Sequence, residues 1–383
     1  MAGKTVDSIQ KTALYNTHLA SGAKMVDFAG WLLPLWYQTG QTNEHLATRN
    51  ACGLFDICHM GEFRIEGSNA KSFLSRVLTN QVDRLNDNQA MYNFMLNARG
   101  GVIDDCILYR FSENAYMLVV NAANIAADFQ WLSENSKDPG IRLEDVSERT
   151  AKLDLQGPSA PRLMAKWISK ETLSGLRFFR FLPSVRIEGM EVLVSRTGYT
   201  GEIGFELYTD VQNAKMLWDL LIFEGKPQDI LPCGLAARDT LRIEAGLPLH
   251  GHELKPDRVA AGHPWEFAIH WEGNFIGKDA LIAAKRNGIK RHVMAFRMKG
   301  RRKAMPGWVV RMSGEAIGTV LSAVISPSLD KSPIGFLESN RSIEIGVRLE
   351  FHQPDSEIYL EGEVTASPFV PLTSRRKMEE FLS

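Results

Sequence analysis

A succession of strand, turn, strand and helix occurs twice in this chain, and it constrains the fold more than any other feature. In the first copy, three β-rich runs lie between residues 91 and 120, with turn signals at 97–100 and 112–114, and a helical pattern follows Asn121. In the second copy, the run MEVLVSR leads into the glycine-rich segment TGYTGEIGFELY, and the helical run VQNAKMLWDLLIF follows. The repetition predicts an α+β protein with two related subdomains, each made of antiparallel sheet and helix.

The chain is longer than one hydrophobic core usually serves, because it has 383 residues. Beyond about Lys290 the helical pattern fades, and the runs HVMAFRM, GWVVRM, AIGTVLSAVI and EIGVRLEF alternate with Gly, Pro and Ser turns. We predict a main region at residues 1–290, in which the two subdomains are intertwined, and a C-terminal β-barrel domain at residues 291–383. The charged tail SRRKMEEFLS is predicted to lie on the surface.

Charge and cysteine content narrow the class of partner. The chain has 44 Lys and Arg against 45 Asp and Glu, so no overall field favours nucleic acid or an anionic membrane. The four cysteines have no C-x-x-C spacing, and the start MAGKTVDSIQ lacks the apolar run of a signal peptide. No run approaches the roughly 20 apolar residues of a membrane span. We therefore predict a cytoplasmic protein with no nucleic-acid or membrane partner.

Two adjacent aspartates, Asp104 and Asp105, lie inside a predicted strand that follows the glycines of GGVIDD. Adjacent strand residues point to opposite faces, so only one of the two can enter a given pocket. A carboxylate on a rigid strand beside an aromatic such as Tyr92 is suited to orient a proton or stabilise a developing cation. The alternative is a solvated hairpin with an acid near its turn.

Three further motifs have a structural and a functional interpretation. The glycines of SRTGYTGEIG indicate either close backbone approach or ordinary hairpin turns, and their spacing is not the dinucleotide fingerprint. In GLAARDTLRIE, Arg238 lies near a helix start and either binds a ligand carboxylate or belongs, with Arg242 one turn away and Asp239 beside them, to an ordinary intrahelical salt-bridge face. The segment His250-Gly251-His252-Glu253 is not a known ligand spacing, so we predict no metal site.

The order of the motifs resembles the glycine cleavage T protein (aminomethyltransferase) family over nearly the whole chain. The blocks that carry the resemblance are GAKMVDFAGW from Gly22, GLFD with HMGE from Gly53, GGVIDD, VVNAAN, QGP, SRTGYTGE, GLAARDTLRIEAG and SPSL from Ser326. The resemblance implies a three-domain ring with tetrahydrofolate in a central channel. It also implies that Asp105, the second Asp of its block, is catalytic and faces folate N10, where its charge would favour a cationic transition state.

The same resemblance assigns the folate contacts. Glu206 would accept N–H bonds from the pterin edge, and Arg238 would pair with the folate glutamate carboxylate. The other residues that would flank the folate or line its pocket are Tyr92, Tyr199, Met60 and Asn121.

The one-carbon donor stays open, because residues 250–271 depart from the family pattern on the side that faces the substrate in relatives. One interpretation is aminomethyl transfer from a lipoylated carrier (H) protein. The alternative is demethylation of a small amine or onium compound such as glycine betaine or dimethylsulfoniopropionate, with Trp36, Trp265 and Trp271 as a cation–π wall. Trp265 and His252 are the predicted substrate-side residues. A folate-binding regulatory protein ranks third, because the Asp105 block is complete.

Overall fold

A computed structural model describes residues 9–382. The stretch Met1–Ser8, on which part of the prediction of a cytoplasmic location rests, lies outside the described residues. Among residues 9–382, no helix is long and apolar enough to cross a membrane.

The chain forms α-helices and strands that are joined into three open sheets and one closed barrel. The strands are β1 Gln10–Lys11, β2 Lys24–Phe28, β3 Trp31–Trp36, β4 Cys52–Asp56, β5 Gly61–Glu66, β6 Gln89–Leu96, β7 Val102–Ser112, β8 Ala115–Val120, β9 Arg142–Asp145, β10 Thr150–Gln156, β11 Phe181–Ile187, β12 Met190–Ser195, β13 Gly204–Asp210, β14 Ile230–Cys233, β15 His292–Met298, β16 Val309–Met312, β17 Glu315–Ile325, β18 Pro333–Ser339, β19 Arg348–His352 and β20 Tyr359–Thr365. The helices are α1 Tyr15–Ala20, α2 Gln41–Asn50, α3 Ala70–Val77, α4 Ile125–Asn135, α5 Ala160–Met164, α6 Lys170–Gly175, α7 Ala214–Glu224, α8 Leu235–Glu244 and α9 Lys278–Arg286.

The first predicted meander forms strands β6, β7 and β8 on one side of a five-stranded antiparallel sheet in the order β6-β7-β8-β5-β9. Along β7 the side chains of Asp104, Cys106 and Leu108 are buried, whereas those of Asp105 and Ile107 are only half-buried. This period of two puts the adjacent aspartates on opposite faces, as the sequence predicts. Helix α4 follows β8, so its N-terminal end lies close to the aspartates.

The second copy of the pattern belongs to a six-stranded sheet in the order β11-β12-β13-β10-β4-β14. Five of its strands come from residues 150–233, but β4 comes from far earlier in the chain and pairs with both β10 and β14. The third open sheet is small and has the order β1-β3-β2. The α+β class with antiparallel sheets is confirmed, and the β4 pairing shows how early and late segments share one sheet.

Residues 292–365 contain a closed six-stranded barrel in the order β15-β18-β17-β16-β19-β20, which confirms the predicted C-terminal barrel. The SPSL motif follows β17 and joins the barrel to the rest of the chain. Its Ser326 hydroxyl donates to Glu244 at the end of α8, and the Ser328 hydroxyl lies 2.9 Å from His45 Nε2. The exact division of the chain at residue 290 stays a prediction.

Three local predictions are wrong. The tail is not a surface segment, because Met378 and Leu382 are buried in the core beneath the six-stranded sheet. The buried guanidinium of Arg196 also donates to the Ser374 and Arg376 carbonyls. The run GFELY is strand β13 rather than part of a turn, and the first half of EIGVRLEF precedes β19. A tail too short to show periodicity is held here by tertiary contacts that the sequence does not display.

Candidate active site

The Asp105 carboxyl group is held from two sides at the edge of the five-stranded sheet. The Tyr92 hydroxyl on β6 donates to Oδ2 at 2.9 Å, and the Asn121 side-chain amide donates to Oδ1 at 2.9 Å. Tyr92 reaches it because Phe94, two residues along β6, is the direct cross-strand partner of Asp105. The sequence-predicted group of Asp105, Tyr92 and Asn121 is thus brought together.

The neighbouring Asp104 is fully buried and has a different role. Its Oδ2 accepts from the Asn121 backbone N–H at 2.9 Å, and its Oδ1 accepts from the side-chain amides of Asn121 and Asn124 at 2.8 and 2.7 Å. It fixes the turn between β8 and α4, and therefore fixes the Asn121 amide that reaches Asp105.

Burial, with the Asp104 charge next to it, raises the pKa of Asp105 from 3.8 to about 7. The Tyr92 and Asn121 hydrogen bonds oppose this rise but do not overcome it. A carboxyl group that titrates near neutral pH is suited to accept and return a proton during a reaction. Asp105 is therefore the chemically competent member of the pair.

A buried polar surface lies on one face of the six-stranded sheet. On β10 the residues Leu153 and Leu155 point into the core, whereas Lys152, Asp154 and Gln156 point the other way and are also buried. Such a face is costly to bury unless its groups are paired or meet a polar ligand.

The carboxyl groups of Asp154 and Glu206 stand directly opposite each other in this face, since the two residues are cross-strand partners. Burial raises the pKa of Asp154 to about 6. Burial also opposes the ionisation of Glu206, but the Lys152 ammonium group, 3.6 Å from Oε2, and a hydrogen bond from Thr197 keep its pKa below the ordinary value. The Tyr208 and Tyr109 hydroxyls donate to the same oxygen at 3.0 and 3.2 Å. Glu206 is thus an ionised hydrogen-bond acceptor that is buried in the protein.

Arg238 connects this polar face with the Asp105 end. Gly234, which precedes α8, lets the helix begin against the backbone of β3, because a Cβ at that position would lie 2.4 Å from the Leu35 carbonyl oxygen. One turn later, Arg238 donates to Asp154 Oδ2 at 2.5 Å, and its guanidinium lies 4.9 Å from the centre of the Tyr199 ring. Burial, with a smaller contribution from the Asp105 charge, raises the pKa of Tyr199, whose hydroxyl donates to the Pro248 carbonyl.

Three buried polar atoms around this face have no hydrogen-bond partner among the described residues: His59 Nδ1, Glu62 Oε1 and Asp154 Oδ1. Burial lowers the pKa of His59 to about 3 and raises that of Glu62 to about 8. Met60, between them in sequence, lies with its sulfur 3.6 Å from the Lys152 ammonium. Buried polar atoms that lack a hydrogen-bond partner within the protein indicate that this face of the sheet binds a polar ligand.

Of the four side chains predicted for the substrate side, three have other partners. Trp265 is buried in the core, where its indole N–H donates to the Gly246 carbonyl at 2.8 Å, and His252 is exposed. The ammonium groups of Lys24 and Lys285 lie over the rings of Trp36 and Trp271, at 4.5 and 3.4 Å from the ring centres. The cation–π wall of Trp36, Trp265 and Trp271 and the substrate-side role of Trp265 and His252 stay predictions.

Other residues of these motifs make close backbone contacts and ion pairs. The glycine-rich segment approaches the QGP motif, because a Cβ on Gly198 or Gly204 would collide with the Gln156 amide. Arg242 pairs with Asp239 at 2.8 Å, as the intrahelical interpretation predicts, and it also binds Glu253. Among residues 9–382, no group of three or more His, Cys, Asp and Glu side chains is arranged to hold a metal ion.

Several residues of the site were not predicted from the sequence. The alternation Lys152, Asp154, Gln156 in β10 was the available signal, but by itself it is typical of a strand with one face in water. His250 is another: its Nδ1 lies 3.0 Å from the Asn124 amide that supports Asp104.

Comparison with known proteins gives a consistent result. Residues 14–273 match the family described as the GCVT N-terminal domain. An aminomethyltransferase from Caldanaerobacter subterraneus subsp. tengcongensis is 44% identical over 347 residues, which are 90% of this chain and 92% of that protein. One from Halalkalibacterium halodurans is 40% identical over 364 residues, 94% of this chain and 98% of that protein. The glycine cleavage system aminomethyltransferase T from Bartonella henselae has a similar crystal structure, with a TM-score of 0.86 and 32% identity over 96% of this chain and 99% of the other.

Proposed function

Since this chain belongs to the glycine cleavage T protein family and is a one-carbon transferase of the aminomethyltransferase type, we propose that its site binds tetrahydrofolate. We further propose that the donor is an aminomethyl group on the lipoyl arm of a carrier (H) protein. In that reaction the two secondary amines of bound tetrahydrofolate take up the donor's methylene, while one of their protons leaves with ammonia and the other with the lipoyl thiol.

The observation that carries the proposal is the pairing of Asp105, whose pKa is about 7, with a buried polar face that has unpaired atoms. A fused heterocycle with N–H donors on one edge fits Glu206, which is ionised and points into that face. The unpaired oxygens of Glu62 and Asp154 offer further acceptors.

Asp105 is proposed to act on charge and protons. Near pH 7 about half of the Asp105 side chains are ionised, so the group can stabilise positive charge at the reacting nitrogen and carry a proton to the departing ammonia. The Tyr92 and Asn121 hydrogen bonds fix its direction, which keeps it from turning away as its charge changes.

Arg238 is proposed to meet the glutamate carboxylate of the folate tail. Its guanidinium already binds Asp154 through one nitrogen and covers the Tyr199 ring, so a second carboxylate would share it with Asp154. A cytoplasmic location belongs to the same proposal: the four cysteines are free, which fits a reducing compartment.

The proposal is tested by measuring tetrahydrofolate binding calorimetrically with the wild-type protein, Glu206→Gln and the matched control Glu191→Gln, an exposed glutamate on the same sheet. Glu206→Gln should weaken binding at least tenfold, because a charged acceptor is replaced by a neutral amide. Glu191→Gln should bind as the wild type does. Equal affinity in all three proteins would place the pterin elsewhere and refute this part of the proposal.

A further inference from the structure

Three aspartate carboxyl groups meet where β7 passes α4. Asp104 and Asp105 are consecutive on β7, and Asp128 on α4 faces Asp104. Asn121, Asn124 and Asp128 follow at intervals of three and four residues, so they lie on one face of this helical segment. That face is turned toward the aspartates, since both asparagines donate to Asp104.

The three carboxyl groups differ sharply in their donors. Asp104 accepts three N–H bonds, and Asp105 accepts from the Tyr92 hydroxyl and the Asn121 amide. Asp128 is fully buried, and neither of its oxygens has a hydrogen-bond donor among residues 9–382. It is the one member of the cluster that nothing stabilises as an anion.

The charged groups that bear on Asp128 are Asp104 and Asp105, both of the same sign. Cys106, the next residue of β7 on the Asp104 face, is buried beside these carboxyl groups, and burial, followed by the Asp104 charge, raises the pKa of its thiol well above the ordinary value. On the far side of Asn124, His250 accepts through Nδ1 and directs Nε2 to the Val102 carbonyl. Among the residues that the structure describes, no Lys or Arg side chain forms an ion pair with any of the three aspartates.

Burial, followed by the Asp104 charge, raises the pKa of Asp128 to about 10. The positive end of the α4 dipole acts in the opposite direction, but its effect on a side chain in the first turns is smaller than the penalty for a buried and unpaired carboxylate. The protonated form of Asp128 is therefore favoured, and the carboxyl group next to it is that of Asp104.

We propose that Asp128 is a positioning residue: a neutral carboxylic acid that donates its proton in a hydrogen bond to Asp104 and so holds Asp104 and Asn121 in the arrangement that orients Asp105. With Asp128 neutral, the carboxyl group of the cluster whose pKa lies near 7 is that of Asp105. The inference rests on the proposed function only in treating Asp105 as the reacting carboxyl group.

The ionisation of each group is measured directly by carbon-13 NMR of protein labelled at the aspartate carboxyl carbons, without any assay of activity. The signal that disappears in Asp128→Asn should stay at the position of a protonated acid from pH 5 to pH 8. The midpoint of the signal that disappears in Asp105→Asn should be unchanged in Asp128→Asn, since one neutral donor replaces another. Asp257→Asn, at an exposed aspartate, identifies an ordinary ionised carboxylate.

Either of two results would overturn the proposal: a signal of Asp128 at the ionised position, or a fall of one pH unit or more in the Asp105 midpoint on Asp128→Asn, which would show that a negative charge had been removed. The positioning role has its own readout. Asp128→Leu should lower kcat about tenfold with KM for tetrahydrofolate unchanged, and Asp128→Asn should restore most of kcat. Equal kcat for the Leu and Asn variants would refute the positioning role of Asp128. That result would leave the proposed role of Asp105 untouched.

Discussion

The Asp105 carboxyl group should destabilise the folded protein near pH 7, where it is proposed to accept and return a proton. Its pKa is about 7 in the fold against an ordinary value of 3.8, so between these values the folded state retains a proton that the unfolded state has lost. Its stabilising effect is complete below about pH 4 and is lost as the pH rises toward 7. Asn cannot titrate, so Asp105→Asn should escape this loss.

The magnitude follows from the two pKa values. A gap of about 3 pH units corresponds to about 4 kcal/mol above pH 7, and because the side chain is half-buried, water reduces this to about 2 kcal/mol. Packing should change little, since the Tyr92 hydroxyl can turn to accept from the new amide while the amide oxygen accepts from Asn121.

The assay is urea unfolding of the wild type and Asp105→Asn at intervals from pH 4.5 to pH 8.5, with Asp257→Asn as the exposed control. The free energy of unfolding of Asp105→Asn should exceed that of the wild type by an amount that grows up to about pH 7 and is constant above it. The control should run parallel to the wild type. A difference that stays constant or shrinks with rising pH would refute the elevated pKa of Asp105 and the role built on it.

Two other substitutions test the folate tail and the docked C-terminus. Arg238→Ala should weaken tetrahydrofolate binding by about 2–4 kcal/mol in a binding titration. The double variant Asp154→Asn with Arg238→Ala also removes the carboxylate that is left unpaired, so it should recover stability but not affinity. Wild-type affinity in either variant would show that the folate tail binds elsewhere. Met378→Ala should lower the free energy of unfolding by about 2–4 kcal/mol in urea denaturation, because a fully buried side chain is truncated, whereas an effect below about 0.5 kcal/mol would show that the tail is not docked in solution.

The strands around Asp105 were predictable because β7 carries its own local signals. The turns on either side are marked by Gly, Asn and Ser, and the alternation along the strand decides that Asp104 and Asp105 face opposite ways. The resemblance to the family then named seven residues, among which side-chain contacts join Asp105 with Tyr92 and Asn121, and Arg238 with Tyr199.

The polar face of β10 could not be predicted in the same way. Lys152 and Asp154 alternate with leucines, which is the pattern of a strand with one face in water. They are buried because other parts of the chain cover that face, and a strand's own sequence does not show what covers it. For the same reason the sequence does not show the buried setting of Asp128 on α4, since its neighbour Asp104 comes from a strand.

The most direct test of the account is product analysis after incubating the protein and tetrahydrofolate with a lipoylated carrier protein, ammonia and formaldehyde, and separately with glycine betaine or dimethylsulfoniopropionate and no carrier. The account predicts methylene-tetrahydrofolate chemistry that requires the carrier and is nearly abolished in Asp105→Asn, while that variant binds tetrahydrofolate within a few-fold of the wild type. Formation of 5-methyltetrahydrofolate from an onium compound without any carrier, or full turnover by Asp105→Asn, would contradict it.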